Sequence, residues 1–362
     1  MEQLRIPGPT PCPPEVLQAM TRQMINHRGE EYGRLQDEVI GALKKIFQTK
    51  NDVLLLTGAG TGGMEAAVVN MLSPGDTVLA VSIGVFGERF AAIARTFGAE
   101  VIPLDFEQGK PADPDAVRRA LRDYPRVKAV LVTHNETSTG VTNDLKSLSA
   151  AVKEFDKLLM VDAVSSLGSI NLPVDDWHCD VAISGSQKGW MVPPGMAFVS
   201  VSPEGWRAHQ QAKMPRFYWD FTKAKNNAEK KQTPWTPAVS VVYALATSLK
   251  MMLAEGIDNI FARHARVTRI ARDGVRSLGL PLLAADGCAS HTVTAVGPFN
   301  GPDVGKLLKI MLAEHQTVLA SGQGKLAGKI FRIGHLGWVH EDDIRQVLAS
   351  LEAALPKAGF RA

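Results

Sequence analysis

A chain of 362 residues that is 45% hydrophobic, with a mean hydropathy of −0.03, has the composition of a globular protein with a large core and room for two domains. Forty basic and 37 acidic residues leave a net charge of +3, too balanced for a chain built around nucleic acid or an anionic membrane surface. Three scattered cysteines, Cys12, Cys179 and Cys288, have no metal-type spacing, and no apolar run approaches a membrane span or a signal core, so a cytoplasmic location with reduced thiols is expected.

Residues 5–14 hold Pro7, Pro9, Pro11, Pro13 and Pro14, with Gly8 among them, and cannot be regular helix. They read as an extended arm with little core of its own, expected to lie across a partner subunit. Pro14 suits the first turn of a helix through Val16, Leu17 and Met20. After His27-Arg28-Gly29, a second amphipathic helix carries Leu35, Val39, Ile40, Leu43 and Ile46 at helical spacing.

From residue 52 strands and helices alternate. Strand 53–56 leads through the glycine-rich turn 57–63 into a helix bearing Met64, Ala67, Val68 and Met71. Strand 77–81 precedes helix 88–97. Strand 101–104, helix 113–121, strand 129–132, helix 145–155 and strand 158–161 continue the series, followed by strand 180–183 and an apolar run over 195–201. This grammar predicts an α/β fold whose large domain, residues 16–255 after an arm of 1–15, holds a mostly parallel sheet covered by helices on both faces. Residues 203–236, with Lys223, Lys225, Lys230 and Lys231, read as a solvated loop rather than a nucleic-acid patch. A helical stretch over 239–277, divided near Gly256, leads out of that domain. Strand 291–296, helix 302–314, strand 329–333 and helix 341–355 form a smaller C-terminal α+β domain, residues 256–362.

In such sheets ligands bind outside the carboxyl ends of the strands, and the chemistry-bearing residues fall there. Lys188, in Ser184-Gly185-Ser186-Gln187-Lys188, follows one buried strand, and Asp162 ends another. An acid and a lysine at two strand ends suit pyridoxal phosphate, which takes a lysine as Schiff base and an Asp beside its pyridinium nitrogen. An ordinary ion pair at the sheet edge is the competing reading. The turn 57–63 reads as a phosphate cradle, its glycines admitting an anion to the start of a helix, or as a plain tight turn. It lacks the Gly-Lys-Ser/Thr of a nucleotide P-loop. Phe86, between glycines, could lie flat on a ring or simply fill core. Thr137 could bond a cofactor oxygen or serve a turn, and His134 reads as a structural hydrogen-bond partner. Arg332 alternates with apolar neighbours and could grip a carboxylate with its planar fork, or form a surface ion pair. The nine histidines form no ligand cluster, so no metal is expected.

Taken together, the arm Pro7-Gly8-Pro9, the turn with Met64-Glu65-Ala66-Ala67, Gly84 to Arg89, His134 to Gly140, Val161 to Gly168, Ser184 to Lys188 and Arg332 to Gly337 resemble the class V aminotransferases of fold type I. The alanine–glyoxylate and serine–glyoxylate (serine–pyruvate) group is the nearest likeness. The resemblance implies a homodimer that binds pyridoxal 5'-phosphate and moves an amino group from alanine or serine to glyoxylate or pyruvate by ping-pong chemistry through a Lys188 aldimine. A 2-aminoethylphosphonate or ureidoglycine aminotransferase, or a non-catalytic cofactor-binding relative, is the alternative. By the same resemblance Asp162 pairs with the ring nitrogen and Phe86 stacks on the ring. Ala59, Gly60, Thr61 and Gln187 serve the phosphate, and Thr137 lies near the phenolic oxygen. Arg332 and Gly8 face the substrate, and Thr236 reaches the phosphate of the neighbouring subunit. Thr233 stands where some relatives carry a phosphate-binding tyrosine.

Overall fold

The computed structural model describes residues 2–360. A short strand β1 (Gln3–Leu4) opens the chain, followed by helices α1 (Pro14–Ala19) and α2 (Glu30–Phe47). The alternating region then runs β2 (Asp52–Thr57), α3 (Gly60–Met71), β3 (Thr77–Ser82), α4 (Val85–Thr96), β4 (Glu100–Asp105), α5 (Pro114–Asp123) and β5 (Val127–Thr133). A small ribbon of β6 (Asn135–Glu136) and β7 (Val141–Thr142) precedes α6 (Leu145–Lys153), β8 (Leu158–Asp162), β9 (Val181–Gly185) and β10 (Met196–Val201).

The seven strands of the main sheet lie in the order β2-β10-β9-β8-β5-β3-β4, all parallel except β10, which is antiparallel to both its neighbours. The central strands are apolar on both sides because both faces are covered. Leu159 and Val161 point into one core, and Leu158 and Met160 into the other. Helix α3 packs close to the sheet because Gly63 has no side chain: a Cβ there would stand 2.8 Å from Ile183 Cγ2. Helices on this frame start on local caps, with Asp113 accepting the N–H of Asp115 and Asp144 that of Ser147.

Residues 203–236, expected as a solvated loop, carry two helices, α7 (Pro203–Gln211) and α8 (Phe221–Ala228), capped by Ser202 and Asp220. The basic run is held by the fold: Lys225 pairs with Asp52 at 2.9 Å, and the Lys223 ammonium sits 4.0 Å from the centre of the Phe217 ring. Helices α9 (Val239–Glu255) and α10 (Ile257–Ser277) meet at an angle of 85° about Gly256, whose φ of +85° suits a residue without a side chain. Among the described residues no single helix is long and apolar enough to cross a membrane.

Beyond α10, strand β11 (Val293–Val296), helix α11 (Val304–His315), strands β12 (Thr317–Val318), β13 (Ala320–Ser321) and β14 (Phe331–Gly334), and helix α12 (Glu341–Ala354) enclose a core of their own. The antiparallel sheet has the order β11-β14-β13. The arm does not project from its own chain. β1 pairs in parallel with β12, Arg5 bonds backbone to backbone with Val318 and Gly334, and its side chain pairs with Asp343.

Candidate active site

Three strand ends form the floor. β5 and β8 end at the paired residues Thr133 and Asp162, and β9 runs on from Ile183, the other neighbour of Asp162, to Gly185. Asp162 is 3% exposed, and its Oδ1 accepts the N–H of Val164 at 3.0 Å. Burial pushes its carboxyl up to about 6, with the positive charges of Lys188 and Arg89 pulling the other way.

Lys188 lies just beyond β9, and its ammonium donates to the Pro7 carbonyl at 2.6 Å. Burial lowers its pKa to about 8, aided by Arg332 and Arg89 and opposed by Asp162. Acid and amine are therefore not a contact ion pair, because each bonds elsewhere. The arm is fastened over the amine. The Thr10 N–H donates to the Gln187 carbonyl, and the Thr10 hydroxyl to that of Lys188, both at 3.1 Å. Gly8 has φ +133°, and a Cβ there would stand 2.5 Å from Lys188 Nζ, so the crossing requires glycine.

Arg332 is 5% exposed rather than on the surface, and among the described residues no carboxylate pairs with it. Its Nε and Nη2 reach the Ser321 carbonyl at 3.0 and 2.8 Å, and its Nη1 reaches the Thr137 carbonyl at 2.9 Å and Gln323 Oε1 at 3.2 Å. Among the described residues one N–H of the fork has no acceptor, so a bound carboxylate would displace a partner such as Gln323 to be held twice. Thr137 thus meets Arg332 through its carbonyl, while its hydroxyl bonds Ser165 Oγ at 2.8 Å. His134 is buried edge-on to Trp177, and burial lowers its pKa to about 3. Its Nδ1 has no hydrogen-bond partner among the described residues, so the ring is held by packing and not by the hydrogen bond expected of it.

Phe86 lies inside α4, which begins three residues earlier than its local pattern suggests. The cause is a cap from far along the chain. The Glu136 carboxylate, wholly buried, accepts the N–H groups of Phe86 at 3.1 Å and Gly87 at 3.2 Å, as well as the N–H and hydroxyl of Ser138. The Arg89 guanidinium lies 4.6 Å from the centre of the Phe86 ring and donates to Thr61 Oγ1 at 3.3 Å. Glu136, Arg89 and Ser165 lie within the sequence motifs that carry the resemblance, yet their roles depend on partners that spacing does not reveal.

The glycine-rich turn is explained by packing as much as by an anion. A Cβ on Gly58 or Gly62 would meet the Trp219 indole at 2.8 or 3.0 Å, and one on Gly60 would meet Val164 at 2.7 Å. Helix α3 nonetheless begins at Gly60 with no side-chain cap on Ala59, leaving its first N–H groups available. Gln187 Oε1, buried and without a partner among the described residues, borders Gly185 together with the Gly60 N–H. Thr61, Ala59 and Thr236 are exposed. Among the described residues no three His, Cys, Asp or Glu side chains come together as a metal-holding set.

An amine of lowered pKa, a buried carboxylate apart from it and an uncapped helix start beside a partnerless amide oxygen suit a phosphate-bearing aldehyde such as pyridoxal phosphate. Fold and geometry together define an α/β enzyme centred on a lysine at the carboxyl edge of its sheet. The chain belongs to the class V aminotransferases, whose family profile matches residues 4–325. It is 46% identical over 98% of its length to a protein of Anabaena cylindrica named soluble hydrogenase 42 kDa subunit, spanning 94% of that chain. It is 36% identical to an L-aspartate–glyoxylate aminotransferase of Paracoccus denitrificans, covering 98% of this chain and 91% of that one. Its fold matches the crystal structure of an alanine–glyoxylate aminotransferase from Nostoc with a TM-score of 0.94 and 31% identity, over 98% of this chain and 95% of the other.

Proposed function

We propose that this protein transfers an amino group from a small amino acid, alanine or serine, to a small 2-oxo acid, glyoxylate or pyruvate. The observation that carries the reading is the Lys188 amine: buried, lowered to about 8, and set apart from the buried Asp162 carboxylate. Glyoxylate is the partner named for both aminotransferase relatives, which supports it as acceptor.

Pyridoxal phosphate, when bound, supplies an electron sink for the charge left at the substrate's α-carbon. Lys188 would hold it through its amine, and that amine is placed to move the proton at the substrate's α-carbon. With a pKa of about 8, roughly one amine in ten is neutral at pH 7, enough to act as base and near enough to act as acid. Asp162, raised to about 6, is still mostly ionised at pH 7, as a partner to a pyridinium must be. Arg332 takes the substrate carboxylate by exchanging Gln323, and Glu136 steadies the helix start that bears Phe86. In this reading residues 16–255 form the cofactor-binding unit and 256–362 the unit that supplies Arg332, with a second copy bringing Thr236 to the phosphate.

The test is a visible absorption titration of the protein loaded with pyridoxal phosphate. L-alanine or L-serine should bleach the yellow band, and glyoxylate should restore it. A band that responds to L-aspartate alone would move the donor to a dicarboxylate. A band that ignores all three would favour phosphonate or ureido donors, or a non-catalytic relative.

A further inference from the structure

Behind Thr137 lies a set of hydrogen bonds whose polarity follows from the chemistry of its members. Ser165 Oγ is 2.9 Å from the Asn135 carbonyl, 2.8 Å from Asn135 Nδ2 and 2.8 Å from Thr137 Oγ1. A carbonyl only accepts, so the single hydrogen of Ser165 goes to the Asn135 oxygen. An amide nitrogen only donates, so Asn135 Nδ2 gives one hydrogen to Ser165. Its other hydrogen goes to Thr292 Oγ1 at 2.9 Å, while Asn135 Oδ1 accepts from Thr142 Oγ1 at 2.7 Å. With the hydrogen of Ser165 committed, the contact with Thr137 is a hydrogen bond only if Thr137 donates. Asn135, Thr137, Ser165 and Thr292 are all 5% exposed or less, so water does not compete for these groups. The Thr137 hydroxyl therefore has only lone pairs to offer the site.

We propose that Ser165 is a positioning residue that fixes Thr137 as a hydrogen-bond acceptor toward the cofactor, favouring the protonated form of the ring's phenolic oxygen. The proposal rests on the reading that Lys188 holds pyridoxal phosphate with Thr137 beside that oxygen. An ionised oxygen is stabilised by donors and destabilised by a facing lone pair. The charged groups around Thr137 are Arg332, bonded to its carbonyl, the adjacent Glu136, and Asp162 and Lys188 across the strand ends. Substitution at Ser165 leaves all four in place.

The experiment follows the visible spectrum of the loaded enzyme as pH is raised and reads the midpoint of its change. Ser165→Ala frees the Thr137 hydrogen to turn onto the ring oxygen, and the midpoint should fall by about one pH unit. Ser165→Thr keeps the hydroxyl and should keep the wild-type midpoint. Thr137→Val removes the facing lone pairs and should also lower it, which carries the test should Ser165→Ala fail to fold. A midpoint unmoved or raised in Ser165→Ala, or raised in Thr137→Val, overturns the proposal, since a donating Thr137 would give that rise. A wild-type protein with no visible band in excess pyridoxal phosphate overturns the cofactor reading itself, and this proposal with it.

Discussion

Buried histidines weaken this protein in acid, and His264 shows why. Its Nε2 accepts the N–H of Gly337 at 3.1 Å, and its Nδ1 faces the Ile260 carbonyl at 2.8 Å. A backbone N–H only donates and a carbonyl only accepts, so the ring is the neutral tautomer with its hydrogen on Nδ1. A second proton, on Nε2, would point at another donor. Burial lowers His134, His264 and His335 to about 3 in the folded chain, against about 6.5 when unfolded. The unfolded chain then binds more protons, so stability present above pH ~6.5 is lost progressively as pH falls toward ~3. At about pH 5 each histidine costs about 2 kcal/mol relative to neutral pH. Asp162 acts in the opposite sense: its raised carboxyl takes up a proton as pH falls through about 6 and returns about 1.5 kcal/mol by about pH 5. Glu136, also raised by burial, adds to that return. The three histidines and Asp162 together leave a net loss of about 4.5 kcal/mol before the return from Glu136, a large share of the stability of a typical domain. Urea unfolding at about pH 7.5 and about pH 5 measures it. In His264→Gln the amide can accept from Gly337 and donate to Ile260 while no longer titrating, so the loss should shrink by about 2 kcal/mol. A wild-type protein equally stable at both pH values, or a His264→Gln variant with the full loss, refutes the reasoning.

Gly8→Ala should be severe, because its Cβ would stand 2.5 Å from Lys188 Nζ at a φ of +133°. Backbone strain and the lost Pro7–Lys188 bond should together cost about 2–4 kcal/mol in urea unfolding and at least tenfold in cofactor affinity, and wild-type values for both would remove the arm from the site. Asp162→Asn should retain the cofactor but lower turnover by about a hundredfold or more in steady-state assays, since an amide cannot hold a ring nitrogen protonated. An unchanged rate would take Asp162 out of that role. Glu136→Gln puts an amide nitrogen, which cannot accept, against the N–H groups of Phe86 and Gly87 or the donors of Ser138. It should cost about 1–3 kcal/mol on denaturation and weaken cofactor retention, and a variant as stable as wild type would show that the cap does not matter.

The strands of the main sheet were legible because their signal is local. Leu158–Asp162 and Val181–Gly185 are apolar on both faces and end in the two residues whose chemistry stood out, Asp162 and, just beyond, Lys188. Gly256 likewise marks the break between α9 and α10 by its own lack of a side chain. Other features depend on partners far along the chain. α4 starts early because Glu136 and Ser138, about fifty residues on, cap it. The glycines at 58 and 62 make room for Trp219, more than 150 residues away. The arm lies on its own chain because β12 offers it an edge. In the region 203–236, by contrast, Ser202-Pro203-Glu204 and Asp220 were local helix starts obscured by the surrounding charge.

A second cause is chemical. Apart from Gln323 Oε1 on Arg332, the groups that orient the two principal cations of the site are main-chain oxygens: Pro7 for Lys188, and Ser321 and Thr137 for Arg332. Every residue carries a carbonyl, so these acceptors leave no mark in composition or spacing. The side chains at 7, 137 and 321 therefore matter to the cations only through the backbone path they permit. Arg332 should accordingly tolerate Ser321→Ala, which keeps the oxygen and the strand, far better than a proline at 321, which would alter the path of β13 against β14. Cofactor-loaded enzyme assayed at limiting 2-oxo acid separates the two: KM should stay near wild type for the alanine and rise about tenfold or more for the proline. A rise in KM as large for Ser321→Ala would mean that the hydroxyl, not the carbonyl, orients the guanidinium.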